Sequence, residues 1–166
     1  MMDDELRKAL QTALDFEKKG HDIYEERATN TKNPLVAKTF RYLAEQELNH
    51  IDEIEEYMEQ EKIELKGDKK QETEQFFSTS TQEFKEKTEL SQDDVRAHET
   101  ALKLEKDSYE FYKKQFDSTE KKDLQRFFLF LMEQERAHYE LVNKAYEYIK
   151  DPEGFFSREE DWFFEG

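Results

Sequence analysis

Apolar side chains recur at steps of three and four along this chain, the spacing that lines one face of an α-helix. In the second such stretch the stripe is Val36, Phe40, Leu43, Ile54 and Tyr57, and in the fourth it is Leu124, Phe128, Leu131, Val142 and Ala145. The first stretch carries Leu6, Leu10, Ala13, Leu14, Tyr24 and Ala28 on one face, and only Gly20 weakens a helix there. Start and stop signals separate the stretches. Asn33–Pro34 sets an N-cap before a proline at the first helical position. Ser91-Gln-Asp-Asp94 resembles a capping box with Asp in place of Glu, and Asp117 to Glu120 supplies a turn and cap. The pattern predicts helices over about 4–28, 34–63, 92–116 and 119–149. Residues from about 64 to 90 read as a polar crossover without a sustained period, long enough to travel the length of a bundle, with Phe76, Phe77 and Phe84 as anchors. Asp151-Pro-Glu-Gly154 ends the last long helix. The capping box Ser157-Arg-Glu-Glu160 then predicts a short terminal helix, SREEDWFFE, whose Trp162 and Phe163 dock on the bundle or on another chain. The expected fold is all-α: one domain over residues 1–166, an antiparallel four-helix bundle of two hairpins joined by the crossover.

Charged residues interrupt the stripes at matching places. Glu47 and His50 lie on the apolar face of the second helix, Glu135 and His138 on that of the fourth, and Glu17 is in the middle of the first stripe. An ionised carboxylate on a buried face is costly unless something neutralises it, and a divalent metal does so while accepting an imidazole one turn along. A single Glu-x-x-His pair is weak evidence in so acidic a chain. The second copy changes that. A shift of 88 residues lays Glu105 on Glu17, Tyr112 on Tyr24, Phe128 on Phe40, Leu131 on Leu43, Glu135 on Glu47 and His138 on His50, with 13 identities in 39 ungapped positions. The chain therefore contains an internal repeat.

The repeat predicts a site. In an antiparallel hairpin two residues equidistant from the turn stand at one height, because each residue climbs about 1.5 Å. Glu17 and Glu47 are centred on Lys32, and Glu105 and Glu135 on Glu120, each inside a predicted turn. Two hairpins packed face to face would thus close a cluster of Glu17, Glu47, His50, Glu105, Glu135 and His138. That inventory matches the carboxylate-bridged di-iron or di-manganese sites of helix bundles. Four carboxylates offset two divalent ions, and oxygen-rich ligation with two imidazoles favours iron or manganese over a closed zinc site. His21 and His98 lack a glutamate at the matching offset and read as surface or core histidines.

Composition narrows the function. Hydrophobic residues make up 35% and charged residues 41% of 166, a balance suited to long amphipathic helices. A net charge of −16 without a basic stripe argues against nucleic acid and anionic membranes as partners. No apolar run spans a bilayer, and the acidic start MMDDELRK lacks a signal-peptide n-region, so cytoplasm is the expected compartment. With no cysteine, these 166 residues hold no disulfide, thiolate zinc site or rubredoxin-type centre, and electrons would come from outside.

The two copies of Glu-x6-Tyr, Glu17 to Tyr24 and Glu105 to Tyr112, and the two Glu-x2-His pairs, with Leu-Ala-Glu-Gln before the first, resemble the rubrerythrin-like branch of the ferritin-like superfamily over about residues 4–150. The resemblance implies two iron ions per chain, with manganese as the alternative, and Tyr24 and Tyr112 as hydrogen-bond partners of the ligands. It further implies a homodimer that reduces hydrogen peroxide or oxygen with an external donor, a rubredoxin-like protein or a reductase, and the length of the crossover allows either closed bundles or exchanged hairpins. A ferroxidase or storage protein, a dimanganese catalase and a metal-free structural bundle are the alternatives. Two positions depart from the family pattern. Full-length relatives add a four-cysteine rubredoxin-like domain, and they carry an extra carboxylate one turn after the third-helix ligand, where this chain has Ser108.

Overall fold

A computed structural model describes residues 2–62, 64–65, 69–84 and 89–155. Among the described residues five long helices follow one another, α1 (Asp4–Asn30), α2 (Pro34–Gln60), α3 (Lys69–Glu83), α4 (Gln92–Ser118) and α5 (Lys122–Lys150), with one further helical turn over 152–155. The all-α bundle expected from the apolar stripes is the fold observed. α1 pairs with α2 and α4 with α5, and the two hairpins meet through α1 against α4 and α2 against α5. One chain closes the bundle by itself. The segment with the Ser157 capping box, Trp162 and Phe163 lies outside the described residues. Among the described residues no helix is long and apolar enough to cross a membrane.

Local chemistry explains the helix ends. The Asp3 carboxylate accepts the Leu6 amide at 2.8 Å and starts α1. Ser91 and Asp94 form the reciprocal capping box of α4. α2 stops at Gln60, short of the predicted 63, because Glu61 turns left-handed with φ 54°. At the second turn, α4 runs on to Ser118 and α5 begins after Lys121, which makes no side-chain cap. Thr119 organises that turn instead: its hydroxyl accepts the Lys121 amide at 3.3 Å and its carbonyl accepts the Gln125 side chain at 2.8 Å. Asn33 does more than cap α2. Its Oδ1 accepts the amides of Leu35 and Val36 at 3.0 and 3.1 Å, while its Nδ2 donates to the Glu89 carbonyl at 2.9 Å, tying the first turn to the end of the crossover. Replacing Asn33 by Ala should cost about 1–2 kcal/mol, read as a lower urea midpoint at unchanged slope.

The crossover is not the unpatterned loop expected from hydropathy. α3 occupies its middle and packs on α5. Its buried face includes Thr73, Ser80 and Thr81, whose hydroxyls bond back to the carbonyls of Lys69, Phe76 and Ser78 within the helix. A stripe built partly of hydroxyl residues carries the helical period without the apolar signal. The aromatic anchors lie where they were expected. Phe76 stacks on Tyr42 with centroids 4.0 Å apart, Phe77 meets Phe155 edge-on, and the Phe84 carbonyl accepts the Tyr148 hydroxyl.

The apolar core comes in two parts. One is formed by Leu10, Leu14, Ile54, Tyr57, Phe127, Phe128 and Leu131, and the other by Tyr24, Val36, Phe40, Leu43, Leu141, Val142 and Ile149. On α1, α2 and α5 the charged positions fall between these two groups. A polar layer therefore lies between two apolar ones.

Candidate metal centre

All six predicted ligands are buried in that layer, none more than 3% exposed. Helix geometry brings them there. On α2 and α5 the three-residue step from Glu to His keeps both side chains on the face that also carries Phe40 and Phe128. Gly20, the one helix-weakening residue of α1, lies against a ligand: a Cβ there would make ordinary van der Waals contact with the Glu47 carboxyl carbon at 3.5 Å. The helix runs through it unbroken.

The side chains form two overlapping four-residue donor sets, and a third group, His50, Glu135 and His138, spans them. Glu17, Glu47, His50 and Glu135 bring one ligand atom each to within 4.8 Å of one another, and so do Glu47, Glu105, Glu135 and His138. Glu47 and Glu135 belong to both. Each set then has its own terminal Glu and His, the arrangement expected of two ions bridged by two carboxylates. His50 Nδ1 stands 3.1 Å from Glu17 Oε2, 3.2 Å from Glu135 Oε1 and 3.9 Å from Glu47 Oε2. His138 Nδ1 is 3.7 Å from Glu47 Oε1 and 3.6 Å from Glu105 Oε2, too far for a good hydrogen bond. Glu105 Oε2, Glu135 Oε1 and His138 Nδ1 are buried without a hydrogen-bond partner. Such orphaned atoms are costly in a bare protein and are what an ion would satisfy. The donor set therefore fits an oxygen-preferring divalent metal.

The surrounding groups fix which atoms point inward. Tyr24 on α1 donates to Glu105 Oε1 on α4 at 2.7 Å, and Tyr112 on α4 donates to Glu17 Oε1 on α1 at 2.5 Å. As one partner advances seven residues along α1 the other retreats seven along α4, so these helices run antiparallel. Both tyrosines thus bond to candidate ligands, and each does so across the hairpin boundary. Burial, together with Glu105 for Tyr24 and Glu17 for Tyr112, pushes both phenols well above their ordinary range, so they remain donors. Gln134 was not anticipated. It is 2% exposed, and its Oε1 is 2.6 Å from His50 Nε2. An amide oxygen only accepts, so Nε2 carries the proton, leaving Nδ1 for the centre. Gln precedes the ligand Glu in both repeats, as Gln46 and Gln134, and that repetition was the available signal. Glu53, one turn beyond His50, also went unnoticed. Its Oε2 is buried without a partner, and burial pushes its carboxyl upward.

The other histidines stay outside the cluster. His21 bonds to Asp22 at 3.2 Å and approaches Glu25 at 3.3 Å. His98 is a core histidine, with Nδ1 2.7 Å from the Asp94 carbonyl, and burial holds its pKa below the usual value.

Without metal the cluster must hold protons. Burial, then the charges of Glu105 and Glu17, push Glu135 well above the carboxylate range. Burial also disfavours an ionised Glu105, but Glu135 beside it, the charge of His138 and the bond from Tyr24 outweigh burial and hold Glu105 low. The proton thus favours Glu135, with Glu105 ionised beside it. For His50, burial opposes the charged ring, yet Glu17 and its neighbours win and push the pKa up to about 9. Its imidazolium therefore contributes stability that is full below about pH 6.5 and is lost as the pH rises towards 9. Glu135 acts in the same direction, since above its ordinary range the unfolded chain ionises and the folded one does not. His98, held neutral, costs stability only at lower pH. Metal-free protein should thus lose on the order of 3 kcal/mol between pH 6.5 and 9 in urea melts, and a flat profile would contradict the proton inventory.

A family model for rubrerythrin matches residues 8–146, a span that contains all six clustered side chains and both tyrosines. No curated protein and no solved structure matches the chain significantly. With the match covering most of the sequence and the buried Glu/His layer in place, the chain belongs to the rubrerythrin family, a ferritin-like di-iron family.

Proposed function

We propose that the chain holds two iron ions and reduces hydrogen peroxide with electrons from an external donor. The observation that carries this reading is the sharing of Glu47 and Glu135 between both donor sets, each set keeping a terminal Glu and His of its own. Two ferrous ions held by Glu17, Glu47, His50, Glu105, Glu135 and His138 would supply the two electrons that, with two protons, convert one peroxide molecule to two of water.

The chain's own residues set the conditions. Tyr24 and Tyr112 bond to one oxygen of Glu105 and Glu17 and leave the other, Oε2, turned to the centre. Gln134 fixes the His50 ring by the same logic. The apolar layers on either side keep out bulk water, which strengthens each of these interactions. These 166 residues contain no cysteine to supply electrons, so turnover draws on a reductant outside them.

A second reading, reaction with oxygen as an oxidase or ferroxidase, has one observation in its favour. Ser108, buried one turn after Glu105, is the repeat counterpart of Gly20, so both hairpins carry a small residue where an additional carboxylate would make the site lopsided. Stopped-flow mixing of anaerobic diferrous protein with equimolar peroxide or oxygen separates the two. Faster oxidation by peroxide is expected, with sustained turnover only when reductant is added. Much faster reaction with oxygen would replace the peroxidase by the oxidase reading, and no reaction with either would sink both.

A further inference from the structure

The interior of the bundle follows the repeat, but its outer faces do not. Between α4 and α5 a cleft of about 450 Å³ is lined by Lys106, Tyr109, Lys113, Arg136 and Tyr139 and ends on Glu105 and Glu135. Tyr109 and Lys113 follow Glu105 at four-residue steps, and Tyr139 follows Glu135 likewise, so each row leads down one helix face to a ligand. The two carboxylates are 1% exposed, so the cleft reaches them while its floor stays closed. On the other hairpin the same rows read Glu17, His21, Glu25 and Glu47, Ile51. There Ile51 is 9% exposed, against 38% for Tyr139, and Leu48 stands where the cleft has Arg136.

Charge distinguishes the two faces further. In a chain of net charge −16, the cleft gathers Lys106, Lys113 and Arg136 against a single lining carboxylate outside the centre, Glu110. Arg136 pairs with Glu140 at 3.5 Å, whereas neither Lys106 nor Lys113 has a carboxylate within ion-pair distance among the described residues. Such a rim repels cations and favours neutral or anionic molecules. We propose that this cleft is the entrance through which a small oxidant reaches the centre, and that its cationic rim gives the metal-loaded protein affinity there for small inorganic anions. This rests on the metal reading above. Exposed side chains such as Tyr139 change rotamer in picoseconds to nanoseconds, fast enough to open the floor.

The test uses azide as the anion and protein loaded with Co²⁺, which is read by its visible spectrum without turnover. Lys106→Glu combined with Lys113→Glu should weaken azide binding at least about tenfold at low ionic strength. Tyr139→Trp, which fills the cleft, should slow oxidation of the ferrous protein by peroxide by a similar factor at unchanged metal content. Lys18→Glu, at the repeat counterpart of Lys106 on the opposite face, should change neither. Equal effects from Lys18→Glu, or none from the cleft variants, would overturn the proposal. Metal content measured beforehand separates this from failure of the metal reading, since protein that takes up neither Co²⁺ nor Fe²⁺ overturns both.

Discussion

Glu47→Ala should abolish binding of both metal ions, whereas Glu17→Ala should spare the second site. The difference follows from membership: Glu47 belongs to both donor sets and Glu17 to one. Anaerobic titration with ferrous iron, followed by elemental analysis, should give about two ions per chain in the wild type. Less than one is expected in Glu47→Ala, and about one, bound more weakly, in Glu17→Ala. Equal losses in both variants would remove the argument for bridging carboxylates. The metal-free stability of Glu47→Ala should meanwhile stay within about 1 kcal/mol of wild type or exceed it. Glu47 makes no hydrogen bond among the described residues, and its contacts with His50 and His138 are 3.9 and 3.7 Å. Removing it forfeits little attraction and relieves repulsion among carboxylates.

Metal loading of the wild type should raise the melting temperature by on the order of 10 °C. A site at a thousand times its dissociation constant adds about 4 kcal/mol, and each kcal/mol moves a domain of this size by about 2–4 °C. Loading must also expel the protons that hold the bare cluster together, the one on Glu135 and the one on His50 Nδ1. About two protons should therefore appear in weakly buffered solution at pH 7 as both sites fill. A melt indifferent to iron would show that the cluster does not bind it.

Much of this was legible in the sequence because helical spacing fixes height. The positions of Glu17 and Glu47 about Lys32, and of Glu105 and Glu135 about Glu120, place four carboxylates at one level whatever the details of the turns. Spacing does not say which helix faces which across the bundle. The bonds of Tyr24 to Glu105 and of Tyr112 to Glu17 therefore had to come from the structure. Gln134 was missed for a different reason: a polar residue beside a ligand on a helix is more often solvated, and only its burial shows otherwise. α3 was missed because Thr73, Ser80 and Thr81 bury hydroxyls that their own backbone satisfies.

The polar layer between the two apolar ones has an effect that does not depend on metal. Sliding one long helix past its neighbours by a single turn, about 5.4 Å, would carry a carboxylate into the level of Leu43 or of Leu131 and leave an apolar side chain facing the remaining charges. Long helices with plain apolar seams lack such a penalty, because one Leu or Phe replaces another. The same four glutamates that strain the bare protein thus pin the vertical register of all four helices before any ion arrives.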